Sequence, residues 1–177
     1  MSVRSATAWV ALFAILVVAG LLLGADLDGE PGSPPAGPPK APPLTARVER
    51  VVDGDTIAVR VASRRETVRY IGVDTPESVM PGEPVACFGK AAAAFNKRLV
   101  AGREVRLAFD RQRRDRYGRL LAYVDVSGRS VNEALLRGGY ARTLEIKPNA
   151  AHAARYRRLE DRAQAAGRGL WKTCSGR

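Results

Sequence analysis

Four carboxylates and an arginine fall within one short stretch of the chain. Asp53 and Asp55 lie in Asp53-Gly54-Asp55-Thr56, Arg69 begins Arg69-Tyr70-Ile71-Gly72-Val73, and Asp74 and Glu77 bracket Asp74-Thr75-Pro76-Glu77. Carboxylates are costly to bury alone, but at the end of a strand they can converge on a cation. Oxygen donors suit Ca²⁺ or Mg²⁺; zinc prefers Cys and His, and the chain has a single histidine, His152. A second charged stretch, Asp115-Arg116-Tyr117-Gly118-Arg119, adds more guanidinium groups. These bind phosphate oxygens through two parallel hydrogen bonds and stay charged at any usable pH. Cations around a phosphate, a positioned water and a base are the parts that phosphodiester chemistry needs. Taken singly, Asp-Gly-Asp reads as an ordinary turn and a strand arginine as a solvated surface residue. The sequence contains no Gly-rich phosphate loop and no Ser/His/Asp arrangement.

The elements that must position these groups are legible as short strands and helices. Asp53-Gly54 is a hairpin dipeptide. Ile57, Val59 and Val61 alternate with Thr56, Ala58 and Arg60, as in a half-buried strand. Strands are expected at Ala46–Val52, Thr56–Val61, Glu66–Ile71, Glu104–Phe109 and Leu120–Val126. A first helix follows the Pro- and Gly-rich loop Asp74–Ala86, with Ala91, Ala94, Phe95 and Leu99 on its buried face and its stop at Gly102. Ser130-Val131-Asn132-Glu133 is a capping box opening a short second helix, which Gly138-Gly139 ends. A last helix begins after Pro148-Asn149 and buries Tyr156, Leu159, Ala163 and Ala166. Leu170 and Trp171 are expected to cover the core, and His152 to lie on the surface.

The chain's 177 residues fit one domain with attachments. Its 29 basic and 18 acidic residues give a formal charge of +11. Residues 1–43 hold two basic and three acidic residues, so the remainder carries +12. Such a field favours polyanions, either nucleic acid or an anionic membrane surface. Ala6–Ala25 is uncharged and rich in Leu, Val, Ile, Phe and Trp, and about 20 residues suffice to cross a bilayer core. Arg4 precedes it; Asp26, Asp28 and Glu30 follow, an order that puts the carboxyl-terminal part outside. An uncleaved anchor and a cleaved signal peptide both remain open. The length of the run, and Leu23 where a cleavage site wants a small residue, favour the anchor. Residues 1–25 are therefore expected to be the export segment, 26–43 a Pro-rich linker that reads as a semi-rigid spacer, and 44–177 the folded domain.

Val52-Asp53-Gly54-Asp55-Thr56, then Arg69-Tyr70-Ile71-Gly72-Val73-Asp74-Thr75-Pro76-Glu77, then Asp115-Arg116-Tyr117-Gly118-Arg119-Leu120-Leu121-Ala122-Tyr123, resemble the staphylococcal nuclease (thermonuclease) family in motif and in order. The resemblance runs from about Thr45 to Trp171. It implies an α+β fold, a five-stranded OB-fold barrel with about three helices. It implies hydrolysis of single-stranded DNA and RNA to 3′-phosphate products, with Ca²⁺ held by Asp55, Asp74 and the carbonyl of Thr75, and Asp53 behind them. Arg69 and Arg119 would hold the scissile phosphate, Glu77 would be the general base or would mainly orient the water or relay its proton, and Tyr117 would contact a nucleotide phosphate. A monomer is expected. Arg111, Arg113, Arg114 and Arg116 read as a solvated patch attracting nucleic-acid backbone. One departure stands out: before Lys147-Pro148-Asn149, where the family prototype has nucleotide-contacting tyrosines, this chain has Thr143-Leu144-Glu145-Ile146. A nucleic-acid-binding module without catalysis is the alternative. The joint presence of both arginines, both metal aspartates and the glutamate favours the enzyme. A basic membrane-surface protein would explain the charge but not the motifs.

Two cysteines remain, Cys87 after the site loop and Cys174 beyond Trp171. In an exported chain an even number of cysteines is commonly paired. A Cys87–Cys174 disulfide is expected if Trp171 docks on the core, with two unpaired thiols as the alternative.

Overall fold

A computed structural model describes residues 42–78 and 85–174. The apolar Ala6–Ala25 run and most of the Pro-rich linker lie outside the described residues. Among the described residues no helix is long and apolar enough to cross a membrane.

The described residues form eight strands: β1 (Leu44–Asp53), β2 (Thr56–Val61), β3 (Arg64–Tyr70), β4 (Gly72–Asp74), β5 (Glu104–Ala108), β6 (Leu120–Val126), β7 (Arg129–Ser130) and β8 (Arg142–Leu144). The main sheet runs β3-β2-β1-β5-β6-β7, and a parallel β3–β6 pairing closes it. β1, β2, β3, β6 and β5 thus make a closed five-stranded barrel, consistent with the OB-type α+β fold. Period-2 alternation does the work expected of it. Ile57, Val59, Val68, Val105, Leu107 and Val124 are fully buried on its inner face, each contributing about 1.5–3 kcal/mol of transfer free energy.

Helices α1 (Gly89–Val100), α2 (Val131–Arg137) and α3 (Ala153–Ala165) pack on the barrel, with a single turn α4 (Leu170–Thr173) at the end. α1 is rotated from its expected orientation. Ala92, Asn96 and Val100 are buried, Phe95 and Leu99 only partly, and Ala94 is exposed. The cause is Asn96, whose amide must reach the Asp53 carbonyl and the Tyr70 hydroxyl. α2 starts at half a capping box. The Ser130 hydroxyl accepts from the Glu133 N–H at 3.3 Å, while the Glu133 carboxylate turns to Arg137 and Arg155. α3 buries Tyr156, Leu159 and Ala163 as expected; Ala166 caps the helix and is exposed. Leu170 is buried, and Trp171 is half-buried beneath the Arg142 guanidinium, 4.2 Å from its ring.

The strand pattern failed to reveal β4 and β8. Ile71 interrupts the expected third strand, donating its N–H to the Ala122 carbonyl and accepting from the Asn132 side chain. The chain then re-enters as β4, paired antiparallel with β8. Three-residue strands carry too little periodicity to be read from sequence.

Candidate active site

The turn between β1 and β2 brings Asp53 and Asp55 to one end of the barrel, where they are 7% and 4% exposed. Gly54 does not need a left-handed φ there. It is needed for space, because a Cβ would sit 2.6 Å from the Thr75 hydroxyl. That close approach lets the N–H and hydroxyl of Thr75 both donate to Asp55 Oδ2, at 2.8 and 2.9 Å. The Thr56 hydroxyl donates to Oδ1 at 3.0 Å. A buried carboxylate satisfied in this way is oriented and not merely tolerated.

Arg69, the penultimate residue of β3, spans the cluster. Nη1 lies 3.1 Å from Asp55 Oδ2 and donates to the Val73 carbonyl at 2.8 Å, while Nη2 donates to Asp74 Oδ1 at 2.7 Å. Ser78 closes the cluster from behind, its hydroxyl donating to Asp53 Oδ1. Glu77 accepts from the Ser78 N–H at 3.1 Å and lies close enough to both Asp53 and Asp74 to repel them. Burial pushes the Asp74 carboxyl above the usual range; Asp55 and Glu77 add repulsion, and Arg69 opposes it. Asp53 is raised as well, by burial first and then by Glu77, against the hydrogen bonds from Ser78 and Gly54. Four carboxylates, Asp53, Asp55, Asp74 and Glu77, thus cluster around one arginine, Arg69, which pairs with Asp55 and Asp74.

Among the described residues no three carboxylate, imidazole or thiolate groups converge as a metal cage. The donor set nonetheless fits a hard divalent cation bound by two carboxylates and water. Asp55 and the half-exposed Asp74 are carboxylates and Thr75 has a neutral backbone oxygen, all ligand types that Ca²⁺ or Mg²⁺ accepts. A cation would also favour the charged form of Asp53 and Asp74, which burial first and neighbouring carboxylates second oppose.

The opposite bank is the turn Arg111–Gly118. Asp115 organises it. Oδ1 accepts the N–H groups of Tyr117 and Arg119 at 2.9 and 3.0 Å, and Oδ2 takes Arg119 Nε at 2.6 Å. Burial raises the Asp115 carboxyl, but Arg119 and the two backbone donors outweigh it and hold it below the usual range. Tyr117 is 67% exposed, with the Arg116 and Arg119 guanidiniums 4.8 and 5.4 Å from its ring centre. Asn149 locks the Lys-Pro-Asn segment to this bank by a reciprocal pair of 2.8 Å bonds with the Gln112 backbone. The four arginines of the expected basic patch are all exposed, but Arg113 and Arg114 are engaged with neighbours. Arg114 makes a two-pronged pair with Glu66 at 2.8 and 2.9 Å, and Arg113 stacks on Phe109 at 4.4 Å.

A cleft of about 540 Å³ is lined by Arg69, Tyr117 and Arg119 and by Leu144, Ile146 and Asn149; Arg69 is the member of the carboxylate cluster that lines it. Leu144 and Ile146 are 37% and 63% exposed, so the Thr143–Ile146 departure places aliphatic side chains in the cleft wall. The structure thus gathers Asp53, Asp55, Arg69, Asp74, Thr75 and Glu77 into one cluster and sets Tyr117 and Arg119 across the cleft from it. His152 lies on the surface, its ring 4.4 Å from that of Tyr123. Cys87 and Cys174 form a disulfide with their α-carbons 6.0 Å apart. Sequence reasoning missed Asn96, Ser78 and Asp115, all of which hold site residues in place. An Asn amid the alanines of α1 was a signal, since Asn is a poor helix-interior residue. The Asp opening Asp-Arg-Tyr-Gly was another, as the start of a side-chain-capped turn.

A family profile described as staphylococcal nuclease homologue matches residues 67–173. The chain is 42% identical over 127 residues to a thermonuclease of Staphylococcus hyicus, covering 72% of this chain and 75% of that protein. It is 43% identical over 130 residues to endonuclease YncB of Bacillus subtilis (strain 168), covering 72% of this chain and 62% of the relative. A thermonuclease of Staphylococcus intermedius is 41% identical over 125 residues, covering 71% of this chain and 74% of its own length.

Proposed function

The chain belongs to the staphylococcal nuclease family, and from that premise we propose that it is an exported, Ca²⁺-dependent endonuclease that hydrolyses single-stranded DNA and RNA to 3′-phosphate products. The observation that carries the reading is the cleft that Arg69 and Arg119 both line, with Asp55 and Asp74 paired to Arg69.

The phosphodiester sits between the two guanidiniums. Asp115 engages Arg119 through Nε, which turns the terminal nitrogens toward the phosphate. Arg69 commits one Nη2 hydrogen to Asp74 and keeps the other for a phosphate oxygen. Both cations then stabilise the charge that builds on the equatorial oxygens as phosphorus becomes five-coordinate. Glu77 orients the attacking water and takes its proton. The new bond joins the water oxygen to phosphorus, the bond to the 5′-oxygen breaks, and that oxygen leaves with a proton from solvent. Ca²⁺, held by Asp55, Asp74 and the Thr75 carbonyl, would supply Lewis-acid stabilisation of the phosphate charge. Single strands are preferred because a splayed backbone can enter the cleft. Leu144 and Ile146 offer no aromatic face, so binding is weaker or base preference altered relative to a tyrosine wall, by about 1–3 kcal/mol per stacked base.

Export rests on the Ala6–Ala25 run and the charges around it, with the domain outside the cytoplasmic membrane and tethered there if the segment is uncleaved. Protease added to intact protoplasts should remove the domain; protection until lysis overturns the orientation. The activity itself is tested with the full chain and single-stranded DNA. Cleavage with Ca²⁺ and none in excess chelator is expected. Full activity in chelator rules out the metal, and no cleavage under any metal leaves a binding module.

A further inference from the structure

The cleft ends at Arg69, but the arrangement of arginines does not. β2 and β3 pair without a register break, and on their outward face the rungs are Thr56 opposite Arg69, Ala58 opposite Thr67, and Arg60 opposite Arg65. The same face continues onto β1, where Arg47 is opposite Arg60 and Arg50 is opposite Ala58. Arg47, Arg50, Arg60, Arg64 and Arg65 are all exposed. The acids among them are Glu49, which is shared between Arg60 and Arg65, and Glu104, which is opposite Arg47 on β5. Arginines directly opposite one another across adjacent strands repel and destabilise a sheet. Here two such pairs, Arg47–Arg60 and Arg60–Arg65, are adjacent, and with Arg50 their four positive charges outnumber the two carboxylates, Glu49 and Glu104, that meet them. A polyanion laid across them converts that repulsion into binding.

Geometry selects the polyanion. The rung at Thr56 and Arg69 is part of the site, and the rung at Arg60 and Arg65 is four residues away. At about 3.3 Å per residue that is about 13 Å, close to four stacked nucleotides of a strand. The intervening rung is Ala58 and Thr67, small residues that leave a trough, and a depression of about 450 Å³ lined by Glu49, Arg50, Ala58 and Arg65 opens beside it. A linear track in register with a phosphate-binding arginine fits a strand better than a flat surface. We propose that the outward β2–β3 face, with Arg47 and Arg50, is a second phosphate-contact surface that holds the nucleic-acid strand as it leaves the cleft. It makes the enzyme favour long substrates over short ones. The inference rests on the nuclease reading of the cleft.

The test measures binding of the full chain to labelled oligo(dT) of about 4 and about 24 nucleotides, in chelator so that no cleavage occurs. The comparison is with the triple variant Arg47→Gln, Arg50→Gln, Arg65→Gln, its fold checked by circular dichroism. Affinity for the long strand should fall about tenfold or more and affinity for the short one less than about twofold. The salt slope for the long strand should drop by about 2, at ~0.7 for each phosphate of a single strand that an arginine no longer neutralises. Thr67→Glu, which places a negative charge in the trough without removing an arginine, should act in the same direction. Equal loss on both lengths, or no loss on the long one, overturns the proposal. So does loss of binding to phosphatidylglycerol vesicles with strand affinity intact, which would assign the face to a membrane. Length-dependent binding through these arginines in a chain that cuts nothing with Ca²⁺ would remove the nuclease reading and leave this surface standing; normal cleavage with no length dependence would do the reverse.

Discussion

The two banks of the cleft are built on opposite electrostatic plans. On one, Asp53 and Asp74 are held above the usual carboxylate range by burial, with Glu77 repelling both and Asp55 repelling Asp74. On the other, Asp115 is held below it because Arg119 and two backbone donors outweigh its burial, and Glu66 is lowered by hydrogen bonds from Arg114. The first bank is under-compensated, the condition in which a cation binds. The second is complete without a ligand and so can present Arg119 in a fixed orientation. One cleft can thus be half preorganised and half dependent on what is added to it.

The largest expected effect separates the banks mechanically. The Ala86 N–H donates to the Glu77 carbonyl at 2.9 Å, and a Cβ on Gly89 would sit 2.4 Å from that same oxygen, so the chain on either side of Cys87 is packed against the backbone of Glu77. The disulfide closes a loop of 87 residues. Replacing both cysteines by serine should cost about 4–5 kcal/mol of stability on loop entropy, read by denaturant titration. Turnover should fall with it, while oligonucleotide affinity in chelator, which reports the arginine bank, holds. Equal loss of both would mean that the banks are not separable.

Next come the arginines themselves. Arg119→Ala or Arg69→Ala should each raise the barrier by about 3–4 kcal/mol, several hundredfold or more in kcat/KM. Asp115→Asn, which keeps the arginine but weakens its grip, should cost about 1.5–3 kcal/mol. Unchanged rates in both arginine variants would sink the site assignment. Asn96→Ala tests the carboxylate bank alone. It leaves the Asp53 carbonyl and the Tyr70 hydroxyl without their buried partner, a loss of about 2–3 kcal/mol in stability, with Ca²⁺ affinity falling and Arg119-dependent binding intact.

The smallest effect is in pH. Because Asp53 and Asp74 are raised, their contribution to stability is fully present below the ordinary carboxylate pKa and is lost as pH rises through their folded values. Asp115 and Glu66 are lowered, so their contribution is present above the ordinary pKa and is lost as pH falls through their folded values. In chelator, Asp53→Asn with Asp74→Asn should flatten the fall in Tm toward neutral pH. Asp115→Asn should flatten the fall at the acid end. Saturating Ca²⁺ should reproduce the first effect in the wild type; at about 100 times its Kd it adds about 2.7 kcal/mol. A Tm profile indifferent to Ca²⁺ would remove the under-compensated bank.

The barrel strands, the helices and the charged motifs were legible in the order of amino acids, because period-2 burial, helix caps and motif spacing are local properties. Val52–Thr56, Arg69–Glu77 and Asp115–Tyr123 could be recognised without knowing that they meet. Other features exist only in the assembled chain. β4 and β8 exist as partners of one another, three residues each, with no periodicity of their own. The rotation of α1 is set by what Asn96 must reach across 43 residues of chain. Gly54 is required by Thr75, which approaches it from another loop. The raised carboxyls and the lowered one carry the same side chain, and nothing local distinguishes them. Their titration depends on how much water and how many cations the fold leaves around each, and those are sums over neighbours distant in sequence.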